Sequence, residues 1–366
     1  LNKTDIDQSS QMGKSFSIDI GIGEKITLLR NAVTELAETD TVNLATDDAD
    51  NNVRYIGANP NNYVYFNCSD YTNPTADTCE LWRIIGVFNN VTKSDGSKEN
   101  LVKIIRTDSL GKYSWDYKRT GVGTSTEDYG SNDWTDSQLM MMLNPTSYLK
   151  SGYTNSSDII SSGSQQLYSK MGSYYNGTKG CKPAAIASGA SFSCTEVDFT
   201  STGLKNDTTR NAIEEVVWNL GGVSGYKSPV SAFYTEERGT TVLTGRPTTW
   251  TGKIGLMYPS DYGYATSGGT TKDRAACLAK ELWNWSDSSV SDCKNNDYLF
   301  KSSYHQWTLA TRSSSDYYTF GVNSSGYAAH YTAYYGNGVR PALFLKSSIS
   351  ISGGTGSSTE PYQLSI

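Results

Sequence analysis

Apolar positions recur at helical spacing in a few places along the chain and at strand spacing in many. Residues 23–38 (GEKITLLRNAVTELAE) set Ile26, Leu29, Val33, Leu36 and Ala37 on one face, and the mixed charges opposite predict an amphipathic core helix rather than a membrane or partner helix. Residues 63–66, 81–88 (LWRIIGVF) and 101–106 (LVKIIR) read as strands, the last two joined into a hairpin through the polar stretch 89–100. Residues 131–149 (SNDWTDSQLMMMLNPTSYL) predict a short helix capped by Ser131 or Asn132. Its apolar side is Trp134, Leu139, Met142 and Leu143, it ends at Pro145, and the Met run fills core space. The polar stretch 151–180 carries one weak helical signal. Residues 207–220 (DTTRNAIEEVVWNL) predict a stronger helix closed by Gly221 and Gly222. Beyond Gly221 come short β-like runs with a helical interval at 271–285, then a ladder of strands at 303–309, 317–323, 326–335 and 339–345. A Ser/Gly-rich stretch, 346–359, precedes EPYQLSI as a closing strand. No period repeats, which argues against a solenoid or propeller. The predicted class is α+β with antiparallel strands. An N-terminal segment, 1–50, precedes a main domain, 51–348, whose C-terminal core is 255–348, and 349–366 form a tail.

Charge and cysteine usage narrow the class of function. The 366 residues carry a formal charge of −6, which gives no electrostatic purchase on nucleic acid. Aromatic area is dominated by 26 Tyr against 9 Phe and 8 Trp, so most of it bears a hydroxyl that can face water or a partner. The six cysteines form three local couples, Cys68 with Cys79, Cys181 with Cys194 and Cys277 with Cys293, and no CxxC occurs. Closely paired thiols of zinc or thioredoxin-like sites are therefore lacking, and three local disulfides are the better expectation, with buried free thiols as the alternative. Bridges imply an oxidising compartment and hence an extracellular location. Leu1 is not an initiator Met and no apolar run approaches ~20 residues, so attachment to a membrane or cell wall is expected only through segments outside this sequence. The acidic run 47–52 (DDADNN) lacks the spacing of a calcium loop and reads as a solvated linker.

Catalytic patterns are scarce. His330 lies among Tyr327, Tyr331 and Tyr334, and His305 beside Gln306 and Trp307, but neither belongs to a recognisable motif. G-x-S-x-G, H-E-x-x-H and Walker A patterns are missing. The adjacent acids Glu214–Glu215 and Glu236–Glu237 leave a secreted carboxylate glycoside hydrolase as the remaining enzymatic alternative, although neighbours diverge by about 100° on a helix. No catalytic residue, metal ligand or cofactor is predicted.

Residues 51–67 with 80–88, 255–269 and 283–348, above all the closing W-T-L…G-V-R-P-A-L-F-L pattern, resemble a group of exported or surface-anchored proteins of Gram-positive bacteria. Their C-terminal domain, of unassigned function, is similar to C-type-lectin-like and formylglycine-generating-enzyme-like folds. The resemblance implies a compact mixed fold in which Trp307 and Leu309 begin a late strand and 339–345 supply a terminal core strand. Formylglycine-generating activity is disfavoured, because that family uses a close thiol pair near its C-terminal end. The E-P-N, Q-P-D and W-N-D signatures of calcium-dependent sugar binding are missing. The same pattern resembles retroelement-diversified variable proteins, which display changeable residues on a lectin-like scaffold. Ser313, Ser314, Ser315, Asp316, Tyr317, Tyr318, Asn323, Tyr327, His330, Tyr331, Tyr334, Tyr335 and Asn337 are of the types such display favours. Tyr offers a rigid face at low entropic cost while Ser and Asn add adaptable hydrogen bonds, which suits binding of an extracellular protein or glycan. The alternatives are that half of these Tyr pack between strands, or that the chain is a structural subunit of a surface filament.

Overall fold

The computed structural model describes residues 26–116, 119–120, 129–148, 172–183, 186–187, 195–269, 272–287, 293–294 and 296–366. Two antiparallel-rich sheets organise the α+β fold. The first contains, in spatial order, Ile254–Gly255, Ala342–Phe344, Lys98–Arg106, Glu80–Thr92, Val53–Tyr55 and Leu44–Ala45, with Tyr63–Phe66 also paired to Glu80–Thr92. The second runs Ala328–Thr332, Tyr318–Val322, Gln306–Arg312, Asn337–Gly338 and Lys112–Tyr113, and Gly222–Val223 joins Gln306–Arg312 in parallel. The hairpin of the first sheet is longer than its apolar stretches, because pairing continues through Val91 with Glu99 and Thr92 with Lys98. Between Ile84 and Gly86 its register shifts, and a Cβ at Gly86 would run into the carbonyl oxygen of Val53, so the close approach of these strands requires glycine there.

Helices fill the space between the sheets. The first begins at Leu29, directly after the short strand Thr27–Leu28, and buries Leu29 and Val33 on the hairpin; of the expected span, 23–25 lie outside the described residues. Thr27 and Leu28 pair with Ile351 and Ser350, and Ser350–Gly353 pairs in turn with Gln363–Ser365, so both ends of the described chain meet in one small sheet. The helix expected at 131–149 forms over Gln138–Leu143 with Ser137 as its cap, not Ser131 or Asn132, and all three Met are buried. Asp133 caps a single 3₁₀ turn just before it. Within 151–180, residues 151–171 lie outside the described part and one helical turn forms at Ser173–Asn176.

The helix expected across 207–220 stops at Ala212, and Val216–Asn219 form a strand instead. The β-branched pair Val216–Val217 and Trp218 gain more from pairing with Thr249–Gly252, which buries Val216 and Trp218, than from continuing a helix whose faces are polar. Two helices that the β-like texture obscured, Val230–Glu237 and Pro259–Tyr264, pack against each other between the sheets. Trp82, Trp115, Trp134, Trp218, Trp285 and Trp307 are fully buried within one continuous core.

Cys68–Cys79 and Cys277–Cys293 are disulfides, as the spacing predicts. Cys181 is also disulfide-bonded; Cys194, its expected partner, lies outside the described residues. Among the described residues no helix is long and apolar enough to cross a membrane.

The stretch 47–52 is solvated only in part: Asp47, Ala49, Asp50 and Asn51 are exposed. Asp48 and Asn52 are buried, and the Asp48 carboxylate accepts from Arg54 Nε at 2.6 Å and from the Asn52 amide at 2.9 Å. Arg54 Nη1 donates at 2.9 Å to Asp261, whose other oxygen takes Lys103 Nζ at 2.6 Å and the Tyr258 backbone N–H at 2.9 Å. Burial alone pushes the Asp261 carboxyl up, but Lys103 and Arg54 outweigh it and hold the group well below the ordinary carboxylate range. Glu237, on the neighbouring helix, lies the other way: burial outweighs Arg238 and pushes it up to about 7, while Ser260 donates to it through its backbone N–H and its hydroxyl.

Removing Asp261 leaves two fully buried cations competing for Asp48. Asp261→Ala is expected to cost about 3–5 kcal/mol in urea unfolding, against under ~1 kcal/mol for Asp47→Ala, whose partner Arg274 sits near the surface. Equal losses would contradict the network. A second expectation concerns pH. The native state keeps a proton on Glu237 that the unfolded chain releases near its ordinary value of 4.5, so this contribution to stability is complete below about 4.5 and is lost as pH rises to about 7. The melting temperature should fall across that window, and less steeply in Glu237→Gln; parallel profiles would show that Glu237 does not titrate there.

Candidate functional site

Tyr318, His330, Tyr331 and Asn337 lie in the C-terminal strands and the other candidate residues in the connections beside them, and strand geometry divides the first three. Tyr318, Phe320 and Val322 alternate with Thr319 and Gly321, and pairing sets His330 opposite Phe320 and Tyr331 opposite Thr319. Tyr318 and His330 therefore share one face, with ring centroids 4.4 Å apart. Tyr331 takes the other, stacked on His305 at 5.4 Å and edge-on to Trp307 at 6.2 Å. There the amide of Asn323 donates to the Tyr331 hydroxyl at 2.7 Å and its carbonyl accepts from Ser325 N–H, while His305 Nδ1 accepts from Ser324 N–H at 2.9 Å. Asn323 is 8% exposed and Asn337 4%, so these two amides are interior groups, and the second has a buried Nδ2 without a partner in the protein.

The remaining candidates join a rim of rings on the first face. Neighbouring centroids run from Tyr335 to Tyr334 at 4.7 Å, to Tyr129 at 5.8 Å, to Tyr317 at 5.1 Å and to Tyr318 at 4.4 Å. From His330 the series continues to Tyr226 at 5.3 Å, to Trp283 at 5.1 Å and to Tyr327 at 5.1 Å. All nine rings are half-buried or exposed, and Tyr335 reaches 48%. Each edge-to-face or offset contact fixes its neighbour's torsions, which leaves the outward edges preorganised.

Cations border the rim. Arg312 lies 5.9 Å from the Tyr318 ring centroid with its Nε unpartnered, and Lys227 lies 5.8 Å from that of Tyr226. Burial, aided by Arg312, pushes the His330 pKa below its ordinary value, so the ring stands neutral at physiological pH and stacks without adding charge. Its Nδ1 is buried without a partner.

Sequence reasoning missed Tyr129, Tyr226 and Trp283. For Trp283 a signal existed: in the tight turn Leu282–Ser286 two Trp two residues apart cannot both face inward, and Trp285 takes the core. Tyr129 and Tyr226 sit in Gly/Ser-rich loops with no periodicity to place them.

The paired acids do not converge. Glu236 is occupied by the N–H and hydroxyl of Ser224, and Glu237 by Ser260 and Arg238. Among the described residues no group of three or more His, Cys, Asp or Glu is placed to hold a metal ion. No family model matches the chain, and neither curated proteins nor solved structures give a match.

The two faces should separate experimentally. Tyr331→Ala opens a cavity beside Trp307 and strands Asn323, for an expected loss of about 2–4 kcal/mol, whereas Tyr335→Ala should stay within about 0.5 kcal/mol of the parent in the same denaturant titration. Similar losses would mean that the rim is structural.

Proposed function

We propose that the protein is exported and works at the bacterial cell surface as a lectin-like, disulfide-braced scaffold that binds a macromolecular ligand, a protein or glycan, through its aromatic rim. The observation that carries the reading is the continuous series of nine half-buried or exposed rings from Tyr335 to Tyr327. Rings of this kind present large contact area with few torsions left to immobilise, and hydroxyl or indole groups at their edges satisfy polar partners. The neighbouring Arg312 and Lys227 add the charge that aromatic-rich binding surfaces combine with such rings. Disulfides support export, since they persist in oxidising compartments.

A screen of the chain against arrays of host glycans and extracellular proteins tests the reading. The triple variant Tyr226→Ala, Tyr317→Ala, Tyr335→Ala should weaken any captured partner at least ~30-fold, corresponding to the loss of one dominant anchor, while Tyr331→Phe keeps affinity. Capture that survives the triple variant would place binding elsewhere.

A further inference from the structure

A cavity of about 280 Å³ opens on the far side of the hairpin and shares no residue with the rim. Its walls come from the hairpin (Phe88 to Thr92, Lys103), from Val217 to Asn219, and from Tyr234, Arg238 and Tyr258. We propose that this cavity binds one uncharged sugar ring, as a free monosaccharide or as a single residue of a glycan.

Size is the first argument. Ligand cavities usually run from about 300 Å³ upward, so this one takes a single ring rather than an extended oligomer. The second argument is the floor. Phe88, Trp218, Tyr258 and Phe344 line it, and an aromatic lining suits the C–H side of a sugar. The same four rings surround Lys103 Nζ, between 4.5 Å from Tyr258 and 5.6 Å from Phe344, so the ammonium is already solvated by rings and by Asp261.

The mouth supplies the third argument. Among the described residues the side-chain amides of Asn90 and Asn219 and the hydroxyl of Thr92 have no hydrogen-bond partner. Amides and hydroxyls donate and accept, as sugar hydroxyls do, whereas a carboxylate or an ammonium ligand would need one role only. Charge gives the fourth. Lys103 is matched by Asp261, and the two other charged side chains of the lining, Asp50, held by the Tyr234 hydroxyl at 2.5 Å, and Arg238, are of opposite sign. Taken with Asp261, the charges of the lining sum to zero, so it favours an ion of neither sign.

Ligand-observed saturation-transfer NMR on the full chain tests this, with glucose, galactose, mannose and N-acetylglucosamine as neutral probes and glucuronate and choline as charged ones. At least one neutral sugar should bind saturably. Val217→Trp, which fills the mouth from an exposed-side position, should weaken that sugar at least tenfold. Asn219→Ala, which removes an unpartnered side chain and keeps the backbone contacts to Tyr258, should weaken it several-fold at an unchanged melting temperature. The rim triple variant should leave the sugar's affinity unchanged. Silence of all four sugars, preference for a charged probe, affinity indifferent to both cavity variants, or loss in the rim variant would each overturn the assignment. The last two would move sugar binding out of the cavity without touching the rim proposal.

Discussion

One carboxylate holds the molecule's interior together. Asp261 caps the helix Pro259–Tyr264 through the Tyr258 N–H and receives Lys103 from the long hairpin and Arg54 from its neighbouring strand. Arg54 extends the chain of charge to Asp48, which fastens the loop before it. Charges so deeply buried are tolerated only when matched, and here each has a partner at 2.9 Å or closer. The network fixes where the helix meets the first sheet. The same helix packs on the second sheet, where the hydroxyl of Tyr262 donates to the Gly326 carbonyl. The position of the C-terminal strands, and so of the rim, follows from that junction.

Around this junction the apolar core and the bridges divide the work. Buried tryptophans pack together beside the second sheet, with Trp115 contacting both Trp134 and Trp307. One disulfide closes the loop before the long strand Glu80–Thr92, and another ties Cys277, in the helix Arg274–Ala279, to Cys293. A short covalent loop limits the unfolded chain where hydrogen-bonded ladders do not. That second bridge also closes the segment that carries Trp283, so covalent and aromatic constraints act on the same part of the rim.

Much of this architecture was legible in the residues, for identifiable reasons. Apolar runs LWRIIGVF and LVKIIR have one stable arrangement, a buried hairpin, and local cysteine couples have one short path to closure. Local pattern failed where distant partners decided the outcome. Val216–Asn219 became a strand because Thr249–Gly252 lies beside it, and Asp48 and Asn52 of DDADNN turned inward because Arg54 and Tyr234 offer them partners that the stretch itself does not contain. At the candidate site the pleat of the sheet was invisible in composition. Tyr318 and Tyr331 look equivalent in sequence and stand on opposite faces.

The central claim is that a frame locked by buried charge, tryptophan and sulfur exposes one edge of linked rings for contact. Hydroxyl-radical footprinting read by mass spectrometry, on the free protein and on the protein with captured ligand, measures this most directly. The account predicts rapid oxidation of Tyr226, Trp283, Tyr317 and Tyr335 in the free protein, silence at the buried Tyr174 and Tyr262, and protection of the first group upon capture. Equal reactivity across both groups, or protection appearing only away from the rim, would contradict it.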